Sequence, residues 1–369
     1  MSCKNIFLGL FCLLTVNCSG ETDSVRGTEG KDMMRDNGEY SRTSRISDVM
    51  TDPVFGGYGR LLFPVQTGYW SGTTLEQLRL TYYSHIDPDM TVEIVNSLKE
   101  RIQRGEVVFH DIYTDEEKRA DVEKRNTVLV FFKGQRGAPY AICNAGGAFA
   151  YVGAMHDSFP HALELSRKGY NAFALIYRPD DAYEDLARAI EYINDNAERL
   201  EVRADGYSLW GGSAGARMAA ALGNGYYLQQ LTTRTDILPA AAVIMQYTGY
   251  SATSRYDAPT YACVGTADGI ASWRTMQSRL QGLAALGIPT EFHAYDGLPH
   301  GFGLGTGTVA EGWIDDAVRF WEAQTAASGV NAVRKAAGNG GGVHTVDGMR
   351  HGTTQRGVNI INGKKGISR

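Results

Sequence analysis

Between residues 52 and 325 the chain alternates short β-branched or aromatic runs with longer stretches whose apolar positions recur every three or four residues. The short runs predict strands and the longer period predicts helices with one apolar face. Seven runs read as strands: 127–132, 140–143, 171–177, 207–210, 241–246, 260–264 and 290–295. Between them helices are predicted at 183–200, where Leu186, Ile190 and Ile193 share a face, at 271–286 and at 309–324. Strands and helices alternating in this way specify an α/β fold, a mostly parallel sheet with helices on both faces. Residues 54–126 are less regular, with one helical stretch at 90–104 among several aromatics, and read as an N-terminal flank or cap outside the main sheet.

The two ends have a different composition. Residues 1–18 carry Lys4 and then an apolar run from Ile6 to Val16, too short to span a bilayer and suited to an export signal. The segment Leu14-Thr15-Val16-Asn17-Cys18 loosely resembles a bacterial lipobox, with Asn17 where a small residue is usual. Two readings stay open, lipidation at Cys18 with membrane attachment through the lipid, or simple cleavage. Either places the mature protein in the periplasm, on the outer-membrane surface or outside the cell. Residues 19–51 are polar with almost no periodic apolar positions and read as a disordered linker. Residues 326–369 shift to Gly, Ala, Asn and basic residues and read as a flexible tail. The ending VDGMRHGTTQRGVNIINGKKGISR is similar to C-terminal sorting tails of proteins exported by Bacteroidetes, an implied signal that sits awkwardly with lipidation.

A net charge of −5 with both signs interspersed offers no electrostatic footprint for nucleic acid or an anionic membrane. Of five cysteines, Cys143 and Cys263 fall in apolar strand-like runs and read as small core residues, without metal-ligand spacing.

The chemistry is concentrated in YSLWGGSAGARMAAAL, residues 207–222, where an apolar run meets Gly211-Gly212-Ser213-Ala214-Gly215 and passes directly into an alanine-rich helical pattern. This is a G-x-S-x-G elbow in a strand, turn and helix setting, which lifts the serine hydroxyl into a cleft. A serine needs a base to take its proton and an acid to orient that base. In chain order after Ser213, Asp268 follows the run 260–264 by a short loop, in VGTADGI, and His300 follows the run 290–295, in YDGLPHGF. Asp296 is the rival acid, while His293 reads as a strand residue, and His85, His110, His156 and His161 precede the serine. Backbone N–H groups must stabilise the charge on a tetrahedral intermediate. Ala214 supplies one, and CNAGGAFAY, residues 143–151, supplies the second from Gly147 or Ala148, with Gly146 kept as a candidate because the register is open by one residue. Phe149, His156 and Asp157 are candidates to line the substrate site.

These motifs together resemble the alpha/beta-hydrolase superfamily, and more loosely its secreted carbohydrate esterases, such as acetyl xylan and feruloyl esterases. The segment Ala145-Gly146-Gly147-Ala148-Phe149 looks like their HGGGF or PGGGY loops, with Asn144 and Ala145 departing from the histidine-led form. The resemblance covers residues 125–325 and implies a serine hydrolase with no cofactor and no metal. Its implied substrate is an acylated, foremost acetylated, plant polysaccharide or oligosaccharide. The aromatics Tyr69, Trp70, Tyr82 and Tyr83 are candidates for stacking on sugar rings. A feruloyl or aryl esterase, a serine peptidase of the prolyl-oligopeptidase type and a non-catalytic binding protein on the same fold remain as alternatives.

Overall fold

The computed structural model describes residues 38–83 and 86–339, then the short strands 343–345, 350–351, 357–361 and 364–368, with side chains described only up to residue 327. The expected export signal, Cys18 and the first part of the expected linker lie outside the described residues.

Eight strands, counted in chain order, build the main sheet: β1 Phe109–His110, β2 Val128–Phe132, β3 Pro139–Asn144, β4 Asn171–Ile176, β5 Arg203–Gly212, β6 Ala242–Gln246, β7 Thr260–Gly265 and β8 Thr290–Tyr295. Their order is β8-β7-β6-β5-β3-β4-β2-β1. Strands β3 to β8 pair parallel, and β2 runs antiparallel to both β4 and β1. All seven strand runs of the sequence are present. The strands read as nearly unbroken apolar runs because both faces of the sheet are covered.

The main helices are α1 Ile46–Thr51, α2 Pro88–Gln103, α3 Phe159–Arg167, α4 Ala182–Asp195, α5 Ala214–Leu222, α6 Trp273–Ala285 and α7 Trp313–Asn339. Strand β5 shows how the two layers of helices grip the sheet. Trp210 points to one face, with ring contacts to Trp313 and Trp321 of α7 at 6.1 and 6.3 Å. Tyr207, three residues earlier, points to the other, where it stacks on Tyr140 at 5.0 Å, and the Tyr140 hydroxyl accepts from Asn194 of α4. Cys143 and Cys263 are buried free thiols, and burial raises the pKa of both.

Three boundaries differ from the sequence reading. The folded unit begins at Tyr40, not at residue 52. Ile46 and Val49 of α1 are buried, and Arg45 bridges to Thr74, so the end of the expected linker belongs to the core; two apolar residues one helical turn apart were too faint a pattern to stand out. The flank is also not wholly outside the sheet, because β1 adds an edge strand, with Phe109 opposite Val130. Finally, α7 runs past residue 325 to Asn339, and the expected flexible tail forms paired antiparallel strands in the order 350–351, 343–345, 357–361, 364–368. Its Gly-rich, basic composition concealed that pairing. Among the described residues no helix is long and apolar enough to cross a membrane.

Candidate active site

The turn from β5 to α5 is as tight as its glycines demand. Ser213 sits at φ 52° and ψ −115°, a backbone conformation that side-chain-bearing residues rarely adopt. A Cβ on Gly211 would lie 2.2 Å from the Gly215 carbonyl carbon, and one on Gly215 would lie 1.9 Å from the Asn144 oxygen. Neither position admits another residue without moving backbone. The Ser213 amide donates to the Gln246 carbonyl at 3.0 Å, tying the elbow to the end of β6.

Around that serine the carboxyl ends of β7 and β8 deliver the other two groups. The Ser213 hydroxyl donates to His300 Nε2 at 3.2 Å, and His300 Nδ1–H donates to Asp268 Oδ2 at 2.8 Å. The Asp268 side chain is fully buried and His300 nearly so. The second Asp268 oxygen accepts from the Ile270 and Ala271 amides, both at 2.7 Å, which fixes the carboxylate plane. The two loops also fit each other closely, since a Cβ on Gly265 would fall 1.8 Å from the Leu298 carbonyl oxygen. Asp296 does not compete for the imidazole, because it is exposed and accepts from the Thr266 hydroxyl. His293 bonds Glu291 two residues away on β8.

On the other side of Ser213 stands the loop after β3. Gly147 has φ 132° and a Cβ there would meet the Tyr151 carbonyl at 2.1 Å, while Ala148 and Phe149 both take positive φ, 57° and 56°. Asn144 anchors the loop's start by donating to the Trp210 carbonyl at 2.9 Å, and the Ala145 carbonyl accepts from the buried Tyr177 hydroxyl at 2.8 Å. The Gly146 amide donates to Asp157 Oδ2 at 2.9 Å, which takes Gly146 out of the set of available donors. Neither the Gly147 nor the Ala148 N–H has a hydrogen-bond acceptor among the described residues. Ala214, the first residue of α5, has no acceptor within its own helix.

Asp157 is therefore not a substrate contact. It is 1 % exposed and lies behind the loop, accepting from the Gly146 amide, the Tyr83 hydroxyl at 2.8 Å and the Tyr247 hydroxyl. Both phenols have pKa values pushed well up, by burial first and then by the Asp157 charge, so they stay protonated and donate. The sequence does carry a trace of this arrangement. The additional glycine before the serine, Gly212, leaves room for the carboxylate, since a Cβ there would lie 2.4 Å from it. Tyr247, which also meets the His300 ring edge-on at 5.0 Å, was missed because nothing in QYTGY distinguishes it from a strand-end aromatic.

The aromatics of the flank divide in the same way. Tyr83 is a buried wedge, and Trp70 packs on Phe63. Tyr69 and Tyr82 stack against Tyr151, at 5.3 and 6.4 Å. His156 is half-buried, bonds the Gly301 carbonyl through Nε2 at 2.6 Å and packs on Tyr83. Phe149 lines a cavity of about 450 Å³ between the flank and the end of β4. A second cavity, of about 240 Å³, touches His300 and is walled mainly by Met155, Leu298, Phe302 and Leu304. A third, about 540 Å³, opens beside α5 and is lined by tyrosines. Among the described residues no group of three or more His, Cys, Asp or Glu is disposed to hold a metal ion.

No protein-family model matches the sequence, and no curated protein matches it. Solved structures resemble the fold. An acetyl ester-xyloside bifunctional hydrolase from Caldicellulosiruptor lactoaceticus matches with a TM-score of 0.50 at 18 % identity, over 58 % of this chain and 95 % of its own. MGS-M1, an alpha/beta hydrolase from a Medee basin deep-sea metagenome library, gives 0.44 at 21 % identity, over 54 % and 93 %. The carboxylesterase Cest-2923 from Lactobacillus plantarum WCFS1 gives 0.46 at 17 % identity, over 54 % and 92 %. The strand order and the parallel sheet are those of the alpha/beta-hydrolase fold. On it, the strand-to-helix elbow presents a serine hydrogen-bonded to a histidine and, through it, to an aspartate.

Proposed function

We propose that the chain is a serine carboxylesterase that removes short acyl groups, foremost acetyl, from plant polysaccharide or its oligosaccharides. One observation carries the reading: Ser213, His300 and Asp268 form a continuous hydrogen-bonded chain beside the unengaged N–H groups of Gly147, Ala148 and Ala214. In the reaction His300 Nε2 takes the Ser213 proton as Oγ attacks the ester carbonyl, and Asp268 holds the imidazolium that results. The carbonyl oxygen gains its negative charge against the N–H groups of the β3 loop and of Ala214, at the positive end of α5. Collapse of the intermediate expels the alkoxide, which takes the proton from His300. Water then enters as the second nucleophile, gives its proton to His300, and releases the acid and free Ser213.

The acetyl preference rests on the resemblance of the triad motifs and of residues 143–151 to those of acetyl xylan esterases. The polysaccharide assignment rests on the export features of the sequence and on the tyrosine-lined opening beside α5.

The test is a series of 4-nitrophenyl esters from acetate to octanoate, run beside acetylated xylan and a ferulate ester, with Ser213→Ala as control. Activity highest on acetate, with acetate released from xylan and a loss of at least about a thousandfold in the variant, is the expected outcome. Preference for octanoate or ferulate removes the acetyl assignment. No turnover of any ester by the wild-type protein removes the esterase.

A further inference from the structure

The cleft of about 540 Å³ beside α5 is walled by Tyr183, Tyr226, Tyr227, Tyr250 and Tyr256, with Arg217. It adjoins both halves of the site. Arg217 lies one helical turn beyond the nucleophile, its amide donating to the Ser213 carbonyl. From the other side, the Phe149 ring of the β3 loop touches Tyr183 at 5.9 Å, and Tyr183 touches Tyr227 at 6.3 Å. The wall is unusually open for aromatic residues: Tyr226 is 58 % exposed, Tyr256 51 % and Tyr227 39 %. Tyr226 and Tyr256 stack on each other at 5.6 Å, which fixes the two exposed rings side by side at the mouth of the cleft. Flat aromatic surface with hydroxyls at its edge is what a pyranose ring packs against, C–H groups on the ring face and hydroxyls at the rim.

The charge of the cleft is equally specific. Arg217 is exposed, lies over the Tyr250 ring at 5.9 Å, and pairs with no carboxylate among the described residues. Arg255 is not part of the wall but lies at its edge, over the Tyr256 ring at 5.5 Å, and is likewise unpaired. The third guanidinium nearby, Arg279, is buried and held by Asp257 at 3.3 Å, so that pair contributes little outward field. The acidic group facing the same tyrosines is Glu184, exposed at the start of α4, whose charge adds to the larger effect of burial in raising the Tyr227 pKa. Two free guanidinium groups against one carboxylate leave the opening positive, although the whole chain carries −5.

We propose that this cleft is the subsite for the sugar chain that leaves the acyl-enzyme, and that it selects sugars carrying a carboxylate, uronic acids, through Arg217 and Arg255. The inference deepens the carbohydrate-esterase reading and rests on it, yet its test does not depend on turnover. Binding to Ser213→Ala protein is measured by titration calorimetry with two acetylated xylo-oligosaccharides, identical except that one bears a glucuronic acid side group. The acidic sugar should bind about fivefold or more tightly at low ionic strength, with the preference shrinking as salt is added. Arg217→Gln should bring the ratio of the two affinities close to one, Arg217→Lys should restore part of it, and Arg255→Gln should reduce it. Equal affinity for the two sugars, no binding of either, or a preference that survives Arg217→Gln overturns the proposal. If wild-type protein hydrolyses no chromogenic acetate, the esterase reading fails separately from this one.

Discussion

The two sides of Ser213 are built by different means. On the His300 side, each group stands on the loop after a strand: Asp268 is fixed by amides two and three residues on, and His300 by Asp268 on the neighbouring loop. On the side of the β3 loop nothing local suffices. Ala148 and Phe149 are held at positive φ, and the anchor is a buried carboxylate, Asp157, that collects donors from the loop, from the flank through Tyr83 and from the end of β6 through Tyr247. A catalytic residue can be set by one strand and one turn, whereas a pair of free N–H groups must be kept free, which takes partners for every neighbouring polar group.

That contrast can be broken or sharpened by substitution. Asp268→Asn should have the largest effect, a fall of about 10⁴ in kcat on 4-nitrophenyl acetate with near-unchanged circular dichroism, because it misplaces the histidine proton while keeping the shape. Asp157→Asn should cost about a hundredfold in kcat with KM changed much less, since an amide turns a donor toward at least one of three donors and lets Gly147 and Ala148 drift. A loss equal to that of Asp268→Asn would erase the difference between the sides, and no loss would show that the loop is held without Asp157. Tyr83→Phe removes one of the three donors and should cost about tenfold in kcat, seen beside an intact thermal transition.

The smallest effect concerns pH. His161, on the helix that follows Asp157, and His110, on β1, are both buried, and burial lowers each pKa to about 4. The unfolded chain protonates both near pH 6.5 while the folded chain does not. Their contribution is thus present above that pH and is lost as pH falls toward 4. Chemical denaturation should show roughly 1 kcal/mol less stability at pH 6 than at pH 7 from the two together. Half that drop would mean that one of them is charged in the folded state, and a flat profile that both are.

How much of this was legible followed the same division. The sheet could be read because each strand is an apolar run, and the triad because Ser213, Asp268 and His300 come in order after separate runs. The glycines at 146 and 147 located the loop, but not its register, which depends on where the Gly146 amide finds its acceptor. Asp157 was visible as a residue and misread in role, since nothing in MHDSF tells a buried carboxylate from one facing substrate. Tyr83 lies 130 residues before the serine, and its contact with Asp157 is made by the fold alone. Residues 40–51 and the paired strands after 342 were lost for a different reason, that short elements in polar surroundings leave almost no period to detect.

The positive backbone angles also bear on how this protein tolerates engineering. Among the described residues six other than glycine take positive φ, and four of them are the nucleophile Ser213 and its neighbours Ala148, Phe149 and Tyr247. Glycine in place of Ala148 would relieve the local torsional cost and, at the same time, widen the conformations open to an unbound loop. Thermal resistance and turnover therefore pull in opposite directions at these positions, and a search for hardier variants would do best to leave them alone and work on the exposed faces of α2 and α6.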